Sequence, residues 1–280
     1  MKRKLFCEIS PFCYRISVEK EIFLRRVRDF FSNEKIAKTK DPSHELPNMV
    51  KSHASVLVRR LVGVDMRLQE NKVKNIELAC AKINGIIIKP GETFSFWRTV
   101  GRTKKKYGYK KGLSITRKGF SEQYGGGLCQ MANMVHWLVL NSPLTVTELH
   151  HHSDALFPDD RRRVPFGTGT SVTYNNLDYR FRNDTDQSVQ LLVRIEGGDL
   201  CGELLSERPF PFRYRLIEED HHYSLEGEKY YRISNVIRLV TDRASGELIR
   251  RETVLRNHSE VMYDYSLIPA DEIRESGVPV

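Results

Sequence analysis

Long apolar runs are missing from the sequence. None of its stretches reaches the roughly 18 consecutive apolar residues that mark a membrane-spanning helix. Residues 1–32 mix apolar and charged side chains, whereas the centre of an export signal is continuously apolar. We therefore expect no cleaved signal peptide and a cytoplasmic location. The 40% of apolar residues are enough to fill the core of one large or two modest domains.

Cysteine is also scarce. The five cysteines are an odd number and form no C-x-x-C pair, the spacing that marks many zinc sites and redox dithiols. They are Cys7, Cys13, Cys80, Cys129 and Cys201. We expect reduced thiols, and we expect neither a metal nor a cofactor.

The positive charge of the chain is concentrated near its start. Residues 1–40 hold eleven Lys or Arg and five Asp or Glu, which supplies +6 of the overall +9. The basic runs at residues 104–106 and 161–163 lack the interleaved aromatic side chains of a surface that binds single-stranded nucleic acid. No nucleic-acid partner is therefore expected.

Residues 19–36 have the apolar spacing of an amphipathic helix. Phe23, Val27, Phe30 and Phe31 recur at helical intervals, and a basic cluster at residues 25–28 occupies other faces. Such a helix docks on its own domain or lies on an anionic membrane surface. The second interpretation predicts salt-sensitive binding to vesicles.

The remaining chain divides into a main part and an extension. Two prolines and few apolar residues mark residues 40–51 as a linker or a wrapped loop. We predict a basic helical segment and linker over residues 1–50, a main domain over 51–207 and a β-rich extension over 208–280.

Local patterns predict the elements around the candidate site. Apolar spacing predicts a helix over residues 70–84 that stops at Gly85, followed by an extended stretch from Ile86 to Trp97. The Trp97 indole is expected to be buried.

Period-two alternation predicts hairpins in the second half of the chain. The first hairpins lie within residues 171–205, with breaks at 183–184 and 197–198. Another pairs residues 230–241 with 247–256.

A glycine-rich segment precedes one of the cysteines. Gly125, Gly126 and Gly127 can present backbone amides to a ligand oxygen, and the apolar spacing after Cys129 predicts a helix that ends near residue 141. A thiol at a helix N-terminus is expected to have a lowered pKa. The pattern favours a cysteine nucleophile, with the neighbouring amides as an oxyanion hole.

Histidines follow the predicted helix and supply a candidate base. If residues 146–153 form a strand, His150 and His152 point to one face and His151 to the other. Either of the first two could meet Cys129. Cys129, His150 and His152 would also suit a zinc ion, and a solvated strand end remains an alternative for the histidines.

These segments together resemble the VanW family. The resemblance rests on residues 70–97, on Gly125 to Gln130 and on Glu148 to Ser153, and covers about residues 60–205. Some VanW-domain proteins are associated with L,D-transpeptidase activity, in which a cysteine carries the acyl group. The resemblance implies a nucleophilic role for Cys129.

The resemblance also assigns the histidine motif. It implies catalytic roles for Glu148, His150 and His152, and substrate or oxyanion contacts by Gln130 and Ser153 as well as by the three glycines. The chain departs from the commoner family pattern twice, with Ala132 in place of a serine and Gly169 in place of an acidic residue. If that acid orients the histidine, Glu148 or Asp178 has to replace it.

The expected fold is α+β, with the cysteine-bearing helix packed on an antiparallel sheet, helices before it and β hairpins after it. The expected function is acyl transfer on a peptidoglycan peptide or precursor in cell-wall metabolism or glycopeptide resistance. Two other classes stay open: a module that binds cell-wall peptide without catalysis, and a zinc hydrolase with Cys and His ligands.

Overall fold

The computed structural model describes residues 5–58, 65–116, 119–151, 154–155, 158, 164–174 and 176–274. Within them the chain forms four α-helices: α1 (Pro11–Phe31), α2 (Met66–Ile83), α3 (Phe96–Val100) and α4 (Cys129–Leu140). Three-residue 3-10 turns lie at Phe6–Glu8, Lys105–Tyr107, Tyr265–Leu267 and Ala270–Glu272.

Fifteen strands are described. They are β1 (Lys35–Ile36), β2 (Asn48–Val56), β3 (Ile86–Ile88), β4 (Glu92–Ser95), β5 (Lys111–Thr116), β6 (Gly119–Tyr124), β7 (Thr145–Glu148), β8 (Asp154–Ala155), β9 (Arg180–Arg182), β10 (Val189–Glu196), β11 (Asp199–Ser206), β12 (Phe212–Glu226), β13 (Lys229–Asp242), β14 (Leu248–Val261) and β15 (Ile273–Arg274).

Local sequence sets the helix boundaries. The Ser10 side chain caps α1 by accepting from the Cys13 amide, with Pro11 in the first turn, and Asp65 caps α2 in the same way. Gly85 ends α2 with a φ of 82°, and a Cβ there would lie 2.5 Å from the backbone of Pro42. A side chain at this position is excluded by conformation and by space.

The main core lies between two helices and an antiparallel sheet with strand order β2-β11-β10-β3. Helix α4 packs on β2 and β11, and α2 packs on β10. The approach of α4 is so close that a Cβ on Gly202 would lie 2.8 Å from the Met134 side chain. Fully buried apolar side chains fill this core, among them Ile76, Ala79, Ile83, Met131, Val135, Leu138, Leu191, Val193, Leu200 and Leu204.

Strands of two further sheets flank the histidine segment, residues 149–153, in the sequence. One has the order β1-β4-β9-β7, and the other, formed largely by the C-terminal extension, has the order β15-β12-β13-β14-β8. The chain leaves the first sheet at Glu148 and enters the second at Asp154, where β8 runs parallel to β14. The histidine segment therefore connects the two sheets.

The α+β class and the packing of the cysteine-bearing helix on an antiparallel sheet are confirmed. Helix α4 lies where the apolar spacing placed it, α2 ends as expected but begins earlier, after its Asp65 cap, and the β10–β11 and β13–β14 hairpins have the expected turns. Of the segment 40–51 predicted as a linker or wrapped loop, residues 41–47 form a wrapped loop, because the Gln190 amide donates to the carbonyls of Asp41 and His44, but residues 48–51 already belong to β2.

Several details of the sequence interpretation are wrong. Phe96 and Trp97 begin α3 instead of continuing a strand, because the Ser95 hydroxyl caps a helical turn there. β9 does not form a hairpin with β10 across residues 183–184, but pairs with β4 and β7. α1 begins eight residues earlier than expected, at its Pro11 start signal, and residues 35–36 are strand β1.

Within the described residues, none of the helices combines the length and apolar character needed to cross a bilayer.

Candidate functional site

The glycine segment forms a tight turn before α4. Gly125 and Gly127 have φ values of 80° and 94°, which glycine adopts without strain. Gly126 packs against the backbone of Gly112, where a Cβ would lie 2.2 Å from the carbonyl oxygen. The buried Asn75 side chain donates to the Gly126 carbonyl at 2.9 Å and fixes the turn on α2.

Only part of this turn is open to a ligand. The amides of Gly125, Gly126 and Leu128 donate to main-chain carbonyls. Within the described part of the chain, the Gly127 and Cys129 amides have no main-chain acceptor. These two amides, rather than all three glycines, are the candidate donors to an oxyanion.

The Cys129 thiol lies in the first turn of α4, as the sequence predicts. Its sulfur is 3.8 Å from the carbonyl oxygen of Val172. Burial raises the pKa of this thiol, and backbone hydrogen bonding from Val172 and from Cys129 itself offsets only part of that effect. The expectation of a lowered pKa is therefore wrong, because desolvation disfavours the thiolate more than the backbone hydrogen bonds favour it.

One backbone segment connects the cysteine with the first histidine. The Ser171 amide donates to the His150 carbonyl at 2.7 Å. The next residue, Val172, contacts Cys129 through its carbonyl oxygen. The Thr170 amide donates to the Asn133 side chain on α4, also at 2.7 Å. Residues 170–172 thus lie between the start of α4 and His150.

His150 lies just past the end of β7, not within the strand as expected. Its Nε2 is 3.0 Å from the Glu148 Oε1. Burial acts to raise the pKa of Glu148, but hydrogen bonds from Arg25 and His150 and the charge of Arg25 outweigh it and lower that pKa to about 2. An ionised carboxylate only accepts, so Nε2 carries the hydrogen and Nδ1 of the neutral ring is left as the basic nitrogen.

Glu148 belongs to a larger group of paired charges, the Arg180 cluster, in which Asp178 and Arg180 are buried. It consists of Arg25, Asp29, Glu34, Glu148, Asp178 and Arg180. The Arg25 guanidinium donates to both oxygens of Glu148, and the Arg180 guanidinium bonds Asp178 at 2.9 Å and Asp29 at 2.8 Å. Asp178 donates its own amide to Glu148 at 3.1 Å.

The Arg180 cluster shows which acidic residue replaces the one missing at Gly169. Glu148 bonds the histidine ring directly, whereas the Asp178 side chain accepts from Ser95, Trp97, Tyr179 and Arg180. Gly169 lies beside the Asn133 side chain, and Ala132 is fully buried in the core. Of the two acids considered as replacements, Glu148 is therefore the one that holds His150.

The other candidate residues are placed as follows. The Gln130 side chain donates to Ser55 and to the Val56 carbonyl, so it fastens α4 to β2. His152 and Ser153 lie outside the described residues. Among the described side chains, no group of three or more His, Cys, Asp or Glu is arranged to hold a metal ion.

Sequence interpretation missed Arg25, Arg180 and Asn75. Arg25 was one of several basic residues on a helix face, and nothing local distinguished it. Arg180 gave a usable signal, because it stands between Tyr179 and Phe181, which are both fully buried in the short strand region. A charge in such a place is normally paired.

The ionisation of Glu148 makes the stability of the protein sensitive to acid. A carboxylate with a lowered pKa contributes stability above about pH 4.5, the pKa of an ordinary Glu, and that contribution disappears as the pH falls towards 2. This pKa shift corresponds to a contribution of about 3 kcal/mol to the free energy of unfolding. Thermal melts from pH 6 to pH 2.5 should show a steep loss for the wild type and a flatter one for Glu148→Gln. Equal slopes below pH 4.5 would contradict this role.

Comparison with known proteins gives consistent matches. A family model described as VanW like protein matches residues 71–205. The vancomycin B-type resistance protein VanW of Enterococcus faecalis is 32% identical over 218 residues, which cover 78% of this chain and 79% of that protein. The uncharacterized protein YoaR of Bacillus subtilis is 28% identical over 148 residues, or 53% of this chain and 47% of that protein.

No solved structure matches the chain. The family model nevertheless contains the glycine turn, Cys129 and the histidine segment, and the similarity to the Enterococcus faecalis protein extends over most of both sequences. The chain therefore belongs to the VanW family.

Proposed function

We propose that this protein acts on a cell-wall peptide in glycopeptide resistance and that its chemistry is acyl transfer through Cys129. The link to resistance comes from the name of the Enterococcus faecalis relative. The observation that carries the chemistry is that Cys129 and the His150 backbone contact the same segment, residues 170–172, while the His150 imidazole is bonded to Glu148.

In the proposed reaction the Cys129 sulfur attacks a peptide carbonyl carbon. The His150 Nδ1 takes the thiol proton, and the Gly127 and Cys129 amides stabilise the oxygen of the tetrahedral intermediate. When the carbonyl re-forms, the C–N bond breaks and the leaving amine receives the proton from the imidazolium. A second amine or water then attacks the thioester and releases the thiol.

The raised pKa of Cys129 determines how this reaction starts. The resting thiol is neutral, so the proton has to leave as the sulfur attacks, and the contribution of a base is large. General-base catalysis typically contributes about 10²–10⁴-fold to a rate.

Covalent capture tests the proposal. Intact-mass analysis after incubation with a carbapenem or a cell-wall peptide should show one adduct per chain that is lost in Cys129→Ser and kept in the matched control Cys201→Ser. We expect His150→Ala to slow capture at least tenfold at neutral pH. If wild-type protein forms no adduct at Cys129 with either reagent, the nucleophile assignment is lost.

A second function is favoured by the same raised pKa, because a thiol that is mostly protonated suits a module that only binds cell-wall peptide. Calorimetric titration separates the two. Peptide affinity that is unchanged in Cys129→Ala, together with an absence of adduct in the wild type, would support binding without catalysis.

A further inference from the structure

Helix α1 is docked with its polar side towards the protein. Its contacts with the domain include the Arg25–Glu148 pair, the Arg180–Asp29 pair and buried Ile22. Ile22, Arg25 and Asp29 lie three or four residues apart and so share one face. This is the reverse of an ordinary surface helix, which buries its apolar stripe.

The opposite side of α1 is apolar and exposed. This outer face spans about 120° of the helix circumference, at roughly 100° per residue. It consists of Phe12, Ile16, Phe23, Leu24, Val27, Phe30 and Phe31, all exposed. The four phenylalanines are between 64% and 81% exposed, and a patch of this kind marks a contact surface.

Basic residues border the outer face. At helical spacing, Arg15 and Arg26 lie along one edge and Arg28 lies along the other, all exposed. Lys20 lies within the face, where its aliphatic stem can extend the ammonium group to a polar boundary. Of the three acidic residues on α1, Glu19 is paired with Arg102 and Asp29 is held in the Arg180 cluster, whereas Glu21 is exposed beside Arg28.

We propose that α1 is a monotopic anchor that lies in the surface of an anionic bilayer. Phenylalanines between two basic edges complement acyl chains below anionic headgroups, whereas a protein partner would require no such edges. One side of α1 is charged and held in the Arg180 cluster and the opposite side is apolar, so the helix, about 32 Å long, lies along the surface instead of crossing it. The Arg25–Glu148 contact holds the candidate site within about one helix diameter, roughly 10–12 Å, of the lipid.

The proposal is independent of the chemistry at Cys129, and vesicle co-sedimentation of the full chain tests it. We expect binding to vesicles of phosphatidylcholine with phosphatidylglycerol, weaker binding to phosphatidylcholine alone, and loss of binding as salt is raised. Combined Phe12→Ser, Phe23→Ser and Phe30→Ser should reduce binding at least tenfold with an unchanged melting temperature.

Two matched variants complete the experiment. Combined Leu248→Ser, Ile249→Ser and Met262→Ser removes exposed apolar residues elsewhere and should leave binding unchanged. Combined Arg15→Gln, Arg26→Gln and Arg28→Gln should reduce binding to anionic vesicles at least threefold.

The proposal is overturned if the wild type does not bind anionic vesicles, or if the phenylalanine variant binds them equally well. It is also overturned if sedimentation velocity shows a dimer that the phenylalanine variant abolishes while vesicles bind neither protein. In that case the outer face is an interface between copies of the chain.

Discussion

Replacing Arg180 by methionine is expected to lower the free energy of unfolding by about 3–5 kcal/mol, because removing one partner leaves buried charges uncompensated. The Arg180 side chain is only 6% exposed. Its guanidinium contacts four carboxylates, those of Asp29, Glu34, Glu148 and Asp178, and Arg25 also pairs with three of these but not with Glu34.

Arg182 supplies a matched control for this experiment. It lies two residues away on β9, is half exposed, and pairs with Asp184 at the surface. Because exposed ion pairs contribute about 0–1 kcal/mol, Arg182→Met should cost no more than that. Urea unfolding at pH 7 measures both variants. Similar losses for the two would show that the Arg180 cluster does not stabilise the fold.

Replacing Trp97 by alanine is expected to cost a similar amount, about 3–5 kcal/mol, because the ring is almost fully buried. The indole packs edge-on against Phe96 and Tyr174, and its Nε1 donates to the Leu177 carbonyl at 3.0 Å. These contacts support the structural role expected from the sequence.

Trp97→Phe is the conservative control. It keeps most of the buried ring but loses the bond to the Leu177 carbonyl, so we expect a loss of about 1–2 kcal/mol. Denaturant unfolding and covalent capture at Cys129 should be measured on the same samples. An alanine variant with unchanged stability but no capture would make Trp97 a wall of the binding cleft instead.

The elements that the sequence predicted well depend on neighbouring residues. The apolar spacing of α2 and α4 and the stop at Gly85 are set within a few turns of chain, and so is the β13–β14 hairpin. Glu148 and His150 also bond across two residues. For the same local reason, the sequence placed Cys129 correctly at the start of a helix.

The sequence did not predict which face of α1 is buried, because the surroundings of the helix determine it. The spacing correctly gave an amphipathic helix, but the Arg25 bond to Glu148 joins residues 123 positions apart. Nothing in the helix itself shows that its charged side has buried partners. Which face of α1 is covered is therefore a property of the assembled fold.

By itself, the sequence determined the α+β class, the helix and turn that carry Cys129, and membership of the VanW family. Apolar periodicity, glycine positions and ordered motifs can each be identified from residues that are close together in the sequence. Only the tertiary structure decided the direction of the Cys129 pKa shift, the pairing of Arg180 and the exposure of the α1 phenylalanines. Each of these depends on desolvation or on partners that distant parts of the chain supply.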